Sequence, residues 1–268
     1  MIPIFQIASR RYLLCCVLFA VLFTLMVWPL PVKAMPTHYM RALAPTTSDY
    51  WSGYIAQSSR GTYTAANMYL TVPILTLTPG SNLWVDQWVG VGDGLISPIE
   101  LVQVGIQSTI DSTTGIQQDA TWGFVVGDAR FQGIAFKLQI NPGDHLWIYV
   151  SSNADGDGYN GFLITDLTQG TSETQYDSAV FSDSASAECI VEDPGGGVDQ
   201  GLHLANFGTV SITGCGVYTN GQKGMAPIGN FPNDALNMAH HNIHLASVGP
   251  LKNGSDFDVT WQNTGDGT

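Results

Sequence analysis

Apolar and polar positions alternate along most of this chain with a period of two. Leu146, Ile148 and Val150 interleave with Trp147, Tyr149 and Ser151, as in a strand with one buried face. Similar short runs recur at 50–57, 63–72, 83–91, 100–110, 121–126 and 134–140. Others fall at 145–151, 161–166, 186–192, 208–212 and 257–262, each bounded by turn residues. Asn141-Pro142-Gly143-Asp144 marks a turn between two of them. No 12-residue window carries a helical stripe. The pattern predicts an all-β fold, an antiparallel β-sandwich of two sheets.

The first residues break this texture. Arg10 and Arg11 precede an apolar run over 13–28, and Val32-Lys33-Ala34 supplies small residues before a cleavage point. Residues 1–34 therefore read as a secretory signal peptide, in preference to an uncleaved anchor. No later run is long enough to cross a membrane by a helix. Residues 35–48 form a short, flexible lead-in, and 49–268 read as a single domain, secreted and monomeric.

Charge narrows the partners. The chain has 9 basic and 22 acidic residues, a formal net charge of −13. Arg10, Arg11 and Lys33 lie in the leader, which contains no acid, so the exported part is more acidic still. Such a surface repels phosphate backbones and excludes nucleic-acid binding. It suits an acidic medium, where carboxylates are protonated and few bases remain to repel one another. After removal of the leader only Cys189 and Cys215 remain. They are either one disulfide formed in an oxidising compartment or two small buried hydrophobes.

Signatures of familiar chemistries are missing: no Gly-x-Ser-x-Gly, no His-Glu-x-x-His, no phosphate loop. Asn153-Ala154-Asp155-Gly156-Asp157-Gly158 resembles the start of a calcium loop, but Ile164 occupies the place of the twelfth-position glutamate. A hairpin turn is the better reading. His240, His241 and His244 fit no compact metal site and suggest a surface loop. No metal and no cofactor is expected.

Glutamate is the informative residue. The chain has four, and two fall in Ala187-Glu188-Cys189-Ile190-Val191-Glu192-Asp193. On a strand Glu188, Ile190 and Glu192 share one face, with Cys189 and Val191 toward the core. The glutamates then stand about 13 Å apart, too far to share a proton, so one of them must work with a partner from elsewhere. In Leu101-Val102-Gln103-Val104-Gly105 the amide of Gln103 points away from the valines, and Gly105 leaves space beside it.

Taken together, these segments resemble the eqolisin family, the glutamic peptidases of the scytalidoglutamic and aspergilloglutamic type. Trp88-Val89-Gly90 and Val102-Gln103-Val104-Gly105 match that family's first motifs, and 187–193 its Ala-Glu-aromatic-Ile-x-Glu strand. Weaker likeness extends over about 48–262. The resemblance implies a concanavalin A-like, lectin-like sandwich and an acid endopeptidase acting on polypeptides through a Glu/Gln pair and a water. It makes Glu188 and Gln103 catalytic. It places Trp88, Ile190, Glu192, Asp93 and Trp122 in the substrate cleft. Three departures stand out. Cys189 replaces an aromatic, the acid after Trp-Val-Gly is shifted to Asp93, and Trp122-Gly123-Phe124 lacks the family's cleft glutamate.

Two other classes fit a sandwich. A non-catalytic, lectin-like binder of carbohydrate or protein would use cleft aromatics, leaving Glu188 and Gln103 incidental. A glycoside hydrolase would need two carboxylates roughly 5–10 Å apart, and the sequence offers one well-placed glutamate facing a glutamine.

Overall fold

The alternating pattern is realised as β-structure almost throughout. In the computed structural model the described residues are 45–59, 61–78, 83–93, 100–127, 130–153, 158–178, 184–195 and 203–264. The leader read in 1–34 lies outside them.

The first strands are β1 (Thr46–Ser48), β2 (Trp51–Gln57), β3 (Tyr63–Thr71), β4 (Leu83–Gly92), β5 (Leu101–Ile110) and β6 (Gln117–Gly127). Next come β7 (Arg130–Ala135), β8 (His145–Ser152), β9 (Asn160–Asp166), β10 (Thr171–Asp177), β11 (Ser186–Glu192) and β12 (His203–Leu204). The last are β13 (Thr209–Thr219), β14 (Ala226–Pro227), β15 (Asn233–His240), β16 (Ile243–Val248) and β17 (Phe257–Trp261).

One sheet runs β7-β6-β5-β4-β11-β2-β15-β16-β17 and ends on the first part of β13. The other runs β10-β9-β8-β3-β13-β14. Neighbours are antiparallel, except that β1 lies parallel to β15 and β12 to β4. Strand β13 serves both sheets. Thr209–Ile212 pairs with β17 and Thr213 onward with β3, the register with β3 shifting between Thr213 and Gly216. That irregularity bends the strand from one sheet to the other.

Between the sheets lies the main core. Val89 and Val91 of β4, Val102, Val104 and Ile106 of β5, and Cys189 and Val191 of β11 pack in one cluster with Met68, Ile148, Val150, Phe162 and Ile164. Each fully buried aliphatic side chain contributes about 1.5–3 kcal/mol. The other phase of the first sheet points outward. There Trp51, Ile55, Trp88, Leu101, Ile190 and Leu236 form a second buried cluster, with Trp122 and Val126 packed against it.

Several expectations need correction. Thr46–Ser48 pairs with β15, so the end of the lead-in is strand. Only 134–135 of the 134–140 run is in a ladder. The strands β10, β15 and β16 were not anticipated. His240 ends β15 and His244 lies on β16, joined by a two-residue turn, His241-Asn242. Both turn residues have positive φ, 47° and 69°, as a tight hairpin requires. The three histidines therefore mark a hairpin, not a loose loop. The calcium-like segment joins β8 to β9, which pair antiparallel; its residues 154–157 lie outside the described ones.

Candidate active site

The outward face of the first sheet is built by phase. On β4 it carries Trp84, Asp86, Trp88, Gly90 and Gly92; on β5, Leu101, Gln103, Gly105 and Gln107; on β11, Glu188, Ile190 and Glu192. Strand β11 pairs with β4, and β4 with β5. Glu188 stands opposite Gly90, and Gly90 opposite Gln103. The two predicted residues thus share one rung, two strand spacings apart, about 10 Å between their Cα atoms. The residue between them has no side chain. A Cβ placed on Gly90 would stand 3.0 Å from Glu188 Oε2, 2.9 Å from Trp88 Cζ3 and 2.8 Å from Leu101 Cδ1. Gly105 does not supply the open space expected of it, because a Cβ there would strike Gln87 O at 2.3 Å and Trp88 Cβ at 2.6 Å.

Glu188 is fully buried. Its Oε1 receives the Ser186 hydroxyl, which also lies 2.8 Å from Gly92 O. Its Oε2 has no hydrogen-bond partner among the described residues, and neither has Gln103 Oε1. Burial pushes the Glu188 carboxyl up to about 7; the Ser186 hydrogen bond opposes this, and the charge of Asp93 adds to it. Asp93 is itself buried just past the end of β4, its N–H bound to Glu100 O.

One rung system further along, Glu192 stands opposite Asp86, and Asp86 opposite Gln107. Glu192 accepts the indole N–H of Trp51 at 3.0 Å and of Trp88 at 2.6 Å. Those rings meet edge to face with centroids 5.2 Å apart. Burial raises Glu192 to about 7 against the two indole donors, with the charge of Asp193 adding. Asp86 is also pushed well above the usual carboxylate range, first by burial and then by Glu192. The residue opposite Glu192 is thus an aspartate that the sequence reading missed. Its signal was present in the alternation Trp84-Asp86-Trp88, which puts an acid among aromatics on the outward phase.

Beside these residues a cleft of about 520 Å³ opens, lined among others by Gln103, Trp122, Phe124, Asp86 and Glu192. Of the predicted cleft residues, Trp122 and Glu192 line it. Trp88, Ile190 and Asp93 do not: they are buried, Trp88 and Ile190 in the outward apolar cluster beneath it. Phe124, opposite Gln103 on β6, holds the place on the cleft face where the family's glutamate was sought.

Behind the site, Cys189 of β11 and Cys215 of β13 form a disulfide across the core, Cα to Cα 6.3 Å. Cys189 follows Glu188 and points the opposite way.

The chain belongs to the Peptidase A4 family, whose sequence model matches residues 49–260. Solved structures share the fold. Scytalido-glutamic peptidase bound to a transition state analog inhibitor superposes with a TM-score of 0.62 at 18% identity. It covers 81% of this chain and 100% of its own. SCP-B, an eqolisin family member in complex with the tripeptide Ala-Ile-His, gives 0.58 at 18% identity with the same coverages. Aspergilloglutamic peptidase from Aspergillus niger gives 0.55 at 21%, covering 67% of this chain and 99% of its own. No curated protein sequence matches the chain significantly. Membership makes the chain a glutamic endopeptidase, with polypeptides as its substrates.

Proposed function

We propose that Glu188 and Gln103 hydrolyse peptide bonds through one water held over Gly90, with no covalent intermediate and no need of a metal. The observation that carries this reading is the rung Glu188–Gly90–Gln103, on which Glu188 Oε2 and Gln103 Oε1 are both acceptors without a described partner. A water between them donates one hydrogen to each and keeps a lone pair for a carbonyl carbon. Glu188 takes a proton from it as general base. Gln103 donates its amide N–H to the oxyanion that develops. Glu188 then returns the proton to the leaving nitrogen, so one group serves as base and acid.

Such a group works best near its own pKa. At about 7, Glu188 sets a weakly acidic to neutral working range, higher than its ordinary 4.5 would give. Trp122 and Phe124 offer apolar cleft surface for a substrate side chain. The leader in 1–34 and the disulfide fit export to an oxidising compartment. The lectin-like binder and the glycosidase lose ground, because neither needs the carboxamide on that rung.

The test is digestion of a denatured protein by the exported chain from pH 3 to 8. Cleavage at internal bonds, insensitive to pepstatin and lost in Gln103→Ala with unchanged circular dichroism, is the expected outcome. Full activity of Gln103→Ala would remove the amide from the mechanism.

A further inference from the structure

Strand β11 sets a third polar group beside the pair. Ser186 lies two residues before Glu188, on the same face, and is 1% exposed. Its hydroxyl has one hydrogen and two acceptors in reach, Gly92 O at 2.8 Å and Glu188 Oε1. The two differ in need. Gly92 O already receives the Ala185 N–H at 2.7 Å. Glu188 is fully buried, and its Oε1 accepts from Ser186.

We propose, on the reading of Glu188 as the acid–base group, that Ser186 is a positioning residue for the reaction. Its hydroxyl occupies Oε1 of Glu188 in both protonation states and leaves Oε2 to carry the proton to and from the water. When Glu188 is ionised, Ser186 donates to Oε1, a charge-assisted bond that stabilises a buried anion. When the proton has passed to Oε2, Ser186 still donates to Oε1, now the carbonyl oxygen of a neutral acid. Neither state leaves a buried donor or acceptor on this side of the carboxyl unmatched. In both, the oxygen facing the place above Gly90 is the same one.

One titratable neighbour acts on Glu188, and another feels it. Asp93, past the end of β4, raises it by like charge, and Tyr63, from β3, feels its charge in return and is pushed up to about 12, chiefly by burial. Ser186 is the hydrogen bond that opposes the upward shift.

The test compares Ser186→Ala, Ser186→Thr and Ser186→Val with the parent, by kcat, KM and the pH profile of kcat/KM. Ser186→Ala loses about 10- to 100-fold in kcat, the scale of a misplaced catalytic group, with KM within about threefold. The acid limb of its profile moves up by about one pH unit, because burial goes unopposed. Thr and Val share a shape, so any packing fault is common to both. Thr restores kcat and the limb; Val does neither. Parent kcat and an unmoved limb in Ser186→Ala, or equal activity of Thr and Val, would overturn the inference. Glu188→Gln, assayed alongside, separates the two levels. If it is inactive while Ser186→Ala behaves as parent, only Ser186's part falls. If it is active, the acid–base reading falls first.

Discussion

A single missing side chain shapes the proposed site. Glu188 and Gln103 flank Gly90, and a Cβ there would stand 3.0 Å from Glu188 Oε2, in the space the proposed mechanism gives to the reacting water. Gly90→Ala therefore fails in activity out of proportion to stability. Overpacking against Leu101 and Trp88 costs about 1–3 kcal/mol, yet hydrolysis falls by more than about 100-fold, as expected when reacting atoms are held apart. Thermal unfolding and kcat on the same sample check this; a stable and active Gly90→Ala would show that the water is bound elsewhere. Glu192 teaches a different lesson at this scale. With both oxygens engaged by indole N–H groups, it orients Trp51 and Trp88 more than it meets substrate.

At the scale of elements, β11 is the keel of the molecule. Its outward phase holds Ser186, Glu188, Ile190 and Glu192, while its inward phase ties to β13 by the Cys189–Cys215 bond. That link spans 26 residues of sequence, so chain-entropy reasoning assigns it about 3.5 kcal/mol. Cys189→Ala with Cys215→Ala should lose about that much in denaturant unfolding. No loss would mean that the sheets hold β11 unaided.

The strands bearing the site were legible because their alternation is strict. Val102-Gln103-Val104 and Glu188-Cys189-Ile190 assign faces without ambiguity once the period is two. Strands β15 and β16 were hidden because Asn233, Asp234 and Asn237 interrupt the apolar pattern. The His241-Asn242 turn carries none of the glycine that announces a hairpin. The rung itself was not legible. Alternation gives the face of a residue but not its register across strands, so Gly90 and Asp86 emerged only with the pairing. Gly105 was misread for the same reason, since what fills its space is Trp88 from the neighbouring strand.

For the whole molecule the buried carboxyls make acid a stabilising condition. Glu188 and Glu192 rise from 4.5 to about 7, and Asp86 rises as well. Each holds its proton more tightly folded than unfolded. The stabilisation is complete below the unfolded value and is lost as pH climbs through the folded one. For Glu188 alone the shift corresponds to about 3 kcal/mol. Asp256, Asp258 and Glu173, lowered by hydrogen bonds or Lys neighbours, work in the opposite sense, but their transitions lie below 4.5. Between pH 5 and 8 the buried group dominates. The melting temperature should fall steadily across that interval, helped by repulsion within a chain of net charge −13. A melting temperature that is flat or rises toward pH 8 would mean that these carboxyls are ionised without penalty.

The central claim concerns one carboxyl, and one substitution addresses it with almost no change of shape. Turnover of an internally quenched peptide by Glu188→Gln, measured at the parent's optimum on protein with the parent's circular dichroism, should fall by at least about 1,000-fold, the loss of both proton transfers. Turnover within a few-fold of the parent would contradict the account, because an amide can neither take a proton from water nor give one to the leaving nitrogen.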